Sequence, residues 1–263
     1  MSKLALPVLG LLLVLAHPVS AQDVPLPAPT PITTQWILEK NVIATGGREA
    51  HQRLRSLVVR GDYMVVPGGH GLSSIPLGQF AFSYKGPANE ALQFALPEQG
   101  TLSVGHREGQ AFVRYTPKQP ALDAAKAKHT GPRMIELVEQ DWRSTLETDF
   151  SGNYDKIELI GRAEVNDRWA YGVRFTTKQG DQIVRFYDYE SFLLVRMDQV
   201  YHYRGKNNAS EVPYTVRSYF KDYKDHDGVK LPHLIVVSEV EDLLFKVSNI
   251  QPNAKIDDSV LQE

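Results

Sequence analysis

The 263-residue chain carries 29 basic and 31 acidic side chains, a formal net charge of −2, and no cysteine. That balance removes the electrostatic basis for binding nucleic acid or an anionic membrane surface. The missing thiols exclude disulfide staples, thiol catalysis and Cys-ligated metal. Stability must then come from an apolar core, which a chain of this length can supply.

Met1-Ser2-Lys3 opens with a short positive segment, Leu4 to Ala16 is apolar, and Val19-Ser20-Ala21 places small residues at the positions a signal peptidase reads. The pattern predicts a signal peptide over residues 1–21, cleaved after Ala21, and therefore a periplasmic protein. The apolar run is shorter than the roughly 20 residues a membrane span needs, so no transmembrane segment is expected after cleavage. Pro25, Pro27, Pro29 and Pro31 then favour an extended polyproline tether over residues 22–32. A single domain is expected over 33–263.

Thr33 or Thr34 is placed to cap a helix through Trp36, Ile37, Ile43 and Ala44, with Gly46-Gly47 ending it and a short helical turn, Arg48 to Leu54, behind. Ser56 to Val66 reads as the first strand. Gln79 to Tyr84, Ala91 to Leu96, Leu102 to Arg107 and Ala111 to Tyr115 continue as a meander broken by Pro and Gly turns. Between Pro120 and Phe150 the composition turns to helix formers. Pro132 suits a first helical turn, and Met134, Leu137, Val138, Asp141, Trp142 and Leu146 recur at helical spacing. A helical insert near 120–150 is expected to act as a lid.

Strands resume near Ile157. In Trp169 to Phe175 every odd residue is large and apolar, and Leu193, Val195, Met197, Tyr201 and Tyr203 repeat the alternation. Successive strand side chains point to opposite faces, so the pattern predicts an antiparallel sheet with one apolar and one wet face. Asn166-Asp167 marks a tight hairpin, Gln179-Gly180-Asp181 and Tyr189-Glu190-Ser191 mark turns, and further strands are expected at Val212 to Tyr223, Leu234 to Val240 and Leu244 to Val247.

The chain carries no catalytic signature. Seven histidines remain after signal cleavage, and none forms H-x-H or a zinc-protease helix. Asp222 to Gly228 is acidic but fails the EF-hand spacing, since Tyr223 falls at position 1 and Leu234 at position 12. Gly68-Gly69-His70-Gly71 lacks the Gly-Lys-Ser/Thr of a phosphate loop. No catalytic residue, metal ligand or cofactor is expected, and the chain reads as a binding protein rather than an enzyme.

Three stretches carry a resemblance: Ala44 to Ala50 leading into Leu57 to Gly61, Phe186 to Arg196, and Tyr219 to Pro232. In these the chain resembles exported bacterial proteins of the outer-membrane lipoprotein-sorting superfamily, which includes LolA, LolB and RseB. The resemblance implies a mainly β fold: one unclosed antiparallel half-barrel covered by a helical lid, with an apolar concave face that holds acyl chains. It brings no catalytic motif, and the arginine that gates acyl release in the carriers matches no single position here.

The expectation is a periplasmic binding or carrier protein for a lipid or acylated protein. Its ligand would lie against Phe80, Phe82, Phe94, Trp169, Tyr171, Phe175 and Phe186 of the strands, with Met134 and Trp142 on the lid. The same alternation also makes a solid core. A sensor or scaffold for an envelope protein is the alternative, and a hydrolase with carboxylates on the concave face the third.

Overall fold

The computed structural model describes residues 31–67, 74–86, 89–96, 98, 100–108, 110–118, 141–178, 180–203, 212–238 and 242–261. Two helices come first, α1 (Thr34–Ala44) and α2 (Gly47–Arg53). Thr33 caps α1: its Oγ1 accepts from the Trp36 N–H at 3.2 Å, satisfying one of the first-turn donors. At the far end Gly46 and Gly47 take φ of +121° and +82° and turn the chain into α2.

Five strands follow: β1 (Leu57–Val66), β2 (Ile75–Tyr84), β3 (Asn89–Leu96), β4 (Gly100–Arg107) and β5 (Gln110–Pro117). Seven more come after the described helical stretch at 141–146: β6 (Tyr154–Val165), β7 (Arg168–Thr177), β8 (Gln182–Asp188), β9 (Leu194–Tyr203), β10 (Val212–His226), β11 (Val229–Ser238) and β12 (Asp242–Pro252). A 3-10 turn, Asp258–Leu261, ends the described chain. Most of the expected insert, with Met134, lies outside the described residues.

The strands form a single 12-stranded sheet in the order β5-β4-β3-β2-β1-β12-β11-β10-β9-β8-β7-β6. Every pairing is antiparallel. Sequence neighbours lie side by side except at the centre, where β1 meets β12. β5 and β6 are consecutive strands yet occupy opposite edges, so the sheet does not close. The result is an antiparallel half-barrel, as the resemblance implied.

Local chemistry sets the register. Asn166 and Asp167 both adopt left-handed φ, +49° and +61°, the conformation a two-residue hairpin of matching twist requires. Val165 and Arg168 pair directly across it. The inner face collects one continuous apolar cluster that includes Val59, Phe82, Leu92, Val173, Phe175, Met197, Ile235 and Phe245. α1 packs onto it through Ile37 and Leu38, and Trp36 meets Phe192 edge-on at 5.1 Å.

Simple alternation breaks at several bulges among the described strands, and two of them decide which side chains face inward. The register between β8 and β9 shifts after Phe186, which pairs with Arg196, while Tyr187 pairs with Leu194. Val195 is the extra residue, so Leu194 and Met197 point inward and Val195 packs on the outer face. This corrects the grouping of Leu193, Val195 and Met197 on one side. In β10, Asp222 has φ +55°, and both Phe220 and Tyr223 reach the inner cluster despite their odd spacing.

Candidate functional site

The 141–146 helix lies on the inner face of the half-barrel. Asp141, Trp142, Ser144 and Thr145 are buried, whereas Arg143 is half-exposed. Trp142 is fully buried and stacks on Phe82 of β2, with ring centroids 5.7 Å apart and planes 16° apart. That placement agrees with a lid whose apolar stripe meets the sheet.

Polar groups fasten the same segment to the sheet at two distant strands. Arg143 donates to the buried Glu90 carboxylate of β3, and it also contacts His106 Nδ1 of β4 at 3.0 Å. On the other side, Glu147 pairs with Arg185 of β8 at 2.7 Å. Arg185 Nη2 donates to the Tyr154 hydroxyl at 2.7 Å and to Ser144 Oγ at 3.1 Å, and the Tyr154 hydroxyl donates onward to Glu147 at 2.9 Å. The guanidinium also lies over the Phe175 ring, 4.4 Å from its centroid.

Desolvation alone would push the Arg185 guanidinium toward deprotonation. The Glu147 carboxylate, with Tyr154 and Tyr187, outweighs it and holds the charge in place. Burial raises the Tyr154 phenol to about 12, so it stays a neutral relay between the two charges. Asp141 has no such counter-charge. Burial pushes its carboxyl up to about 7, and only the Ser218 hydroxyl of β10 partly offsets this.

The expected ligand-lining residues divide between the two faces. Phe80, Phe82, Phe94, Tyr171 and Phe175 share the inner cluster with Trp142. Phe186 does not join them. It is buried with Val165 and Ala170 in a separate outer-face cluster, with Arg196 over its ring at 4.2 Å. Trp169, next to the hairpin, is 59% exposed. For Phe186 and Trp169 the inner-face expectation is therefore corrected. Phe186 sits one residue away from the inward pair Arg185 and Tyr187, and Trp169 sits where β7 begins, beyond the covered part of the face.

No family model matches the chain, and no curated protein matches it by sequence. Solved structures do. A LolA superfamily protein from Nitrosomonas europaea aligns over 89% of this chain and 99% of its own, with a TM-score of 0.51 at 13% identity. The chain has the LolA-superfamily fold. A DUF1329 family protein from Desulfovibrio piger covers 88% of this chain and 100% of its own, with TM-score 0.44 and 13% identity. The Pseudomonas aeruginosa MucA/MucB complex gives 84% and 99%, with TM-score 0.20 and 10% identity.

Within this LolA-superfamily fold, the anchored segment borders a cleft of about 620 Å³ lined by Tyr84, Arg143, Glu147, Tyr154 and Arg185 among others. Its walls mix polar groups with apolar ones, Leu146 and Ile183 among them. Both glutamates described above already engage an arginine, which suits holding a segment in place better than activating a water. Sequence reasoning missed Arg185, Glu147 and Tyr154 entirely. The available signal was parity: Ile183, Arg185 and Tyr187 alternate on one face of β8, and a charged residue in that row demands a buried partner.

Proposed function

We propose that this protein is exported and binds a lipid or a lipid-bearing protein in the bacterial envelope, holding it against the inner face of the half-barrel. The observation that carries this reading is the way the 141–146 helix covers that face. Its apolar contacts include an aromatic stack, Trp142 on Phe82, and Leu146 against the same cluster, flanked by ion pairs at Glu90 and Arg185. Lifting the segment would uncover Phe82 in the inner cluster, while its polar anchors would be resolvated. The signal-peptide pattern over residues 1–21 supports delivery to the periplasm, with cleavage after Ala21. Among the described residues no helix is long and apolar enough to cross a membrane.

Native mass spectrometry of protein purified from the periplasm without detergent tests this directly, followed by organic extraction. A bound acyl-containing mass supports the reading. A clean apo mass, with no lipid in the extract, removes it and leaves the inner face as plain core.

A second reading, a sensor or scaffold for an envelope protein, is favoured by the sheet edge. Among the described residues β6 pairs only with β7, leaving a 12-residue strand with a free side, and Ile160 and Trp169 are exposed near it. An unpaired edge of that length suits strand addition by a partner chain. Cross-linking from a photoreactive group at position 160 in intact cells would identify such a partner.

A further inference from the structure

His226 at the end of β10 and His233 in β11 meet across the hairpin joining the two strands. Their Nε2 atoms are 2.8 Å apart, with ring planes 15° apart and centroids at 5.0 Å. At that separation one nitrogen carries a hydrogen and the other a lone pair, since two lone pairs or two N–H groups would repel. Whichever ring holds the hydrogen, the two Nε2 atoms face each other and can converge on a single point between the rings.

We propose that His226 and His233 form a binding site for a divalent first-row transition cation, Cu²⁺ in preference to Zn²⁺, in which the metal replaces the proton the two rings share. Paired imidazoles suit copper, zinc and nickel, and affinity for such a set peaks at copper. Geometry agrees with that order. Two metal–nitrogen bonds of about 2.0–2.1 Å span roughly 2.9 Å at a right angle and roughly 3.3 Å at a tetrahedral one. The tetragonal arrangement of Cu²⁺ therefore needs the smaller opening from 2.8 Å. The rings meet nearly end to end, so they must tilt to converge on one ion, and both are half-buried, which leaves room to do so.

Charges of both signs surround the pair. The pairings Lys221 with Leu234 and Tyr223 with Pro232 set Asp222 opposite His233, and Asp225 adjoins His226. Lys224 opposes them but is itself engaged by Asp222 at 3.0 Å. Among the described residues no third side chain completes the set. The remaining positions belong to water, which makes this an open site rather than a structural one.

The test uses the whole mature chain, free of any histidine tag and stripped with a chelator. Titration with copper sulfate should saturate at one ion per chain, with an electron paramagnetic resonance spectrum showing coupling to two imidazole nitrogens. His226→Gln and His233→Gln should each weaken binding by at least about tenfold. Unchanged affinity in both variants, or no saturable binding by the wild-type chain, overturns the proposal. A second measurement needs no variant: bound Cu²⁺ should shield both histidines from acylation by diethyl pyrocarbonate, mapped by peptide mass. Equal modification with and without copper also overturns it.

Discussion

Arg185 and Glu147 form an ion pair at 2.7 Å in which both side chains are at least nine-tenths buried. One partner belongs to β8, in the half of the sheet built after the insert, and the other directly follows the 141–146 helix. Breaking a buried pair leaves an uncompensated charge, at a typical cost of about 3–5 kcal/mol. Arg185→Met should therefore lower the urea-unfolding free energy by about that amount, leaving Glu147 and Tyr154 facing each other without the cation. Restoring balance should recover part of the loss, so Arg185→Met combined with Glu147→Leu should be more stable than Arg185→Met alone. Equal stability of the single and double variants would mean that the pair is not coupled.

Trp142 supplies the apolar counterpart of that clasp. Truncating a fully buried tryptophan costs about 3–5 kcal/mol, and an aromatic pair adds about 0.5–1.5 kcal/mol beyond area burial. A double-mutant cycle with Trp142→Ala and Phe82→Ala should return a coupling energy within that second range. If the inner face holds lipid, Trp142→Ala should also change the amount of lipid recovered by extraction. A folded Trp142→Ala chain with unaltered lipid content would argue that the stack is core alone.

The protein's stability should carry a pH signature from Asp141. Burial raises its carboxyl to about 7 in the folded chain, against about 3.9 when unfolded. The folded state therefore holds a proton that the unfolded state releases in this interval. The associated stability is complete below about pH 4 and lost as the pH rises through about 7. Asp141→Asn removes this dependence. Melting temperatures of the two chains between pH 4 and 8 should differ most at the alkaline end, with the variant the more stable there. Parallel curves would show that Asp141 does not titrate as its burial implies.

Much of the fold was legible from period-2 alternation, because a half-barrel with one covered face obliges each strand to show it. The Asn166-Asp167 hairpin and the Thr33 cap were readable for a related reason, since each rests on local chemistry that needs no tertiary partner. The bulges were not. Nothing in Phe192 to Arg196 signals that Val195 will be the extra residue, and one such residue inverts every later side chain on the strand. The clasp was hidden differently: Arg185 and Glu147 are 38 positions apart in sequence, and only the sheet order brings them together. His226 and His233 looked isolated for the same reason, although seven residues spanning a tight hairpin is a separation at which two strand residues can meet.

The junction between helices and sheet gives a further prediction. Gly46, with φ +121°, sits so close to the β10–β11 turn that a Cβ built there would lie 1.9 Å from the Gly228 carbonyl oxygen. The neighbouring Lys230 N–H donates to the Thr45 carbonyl at 3.0 Å, locking the α1–α2 corner onto that turn. Gly46→Ala must therefore pay both backbone strain and displacement of the turn. Gly47, with φ +82°, has open space where its Cβ would go, so Gly47→Ala meets conformational strain alone. Strain of this kind costs about 1–3 kcal/mol, and overpacking against rigid backbone adds about 1–3 kcal/mol. Denaturant melts should rank wild type above Gly47→Ala and Gly47→Ala above Gly46→Ala. If the two alanine variants melt together, the corner does not depend on the Gly46–Gly228 approach.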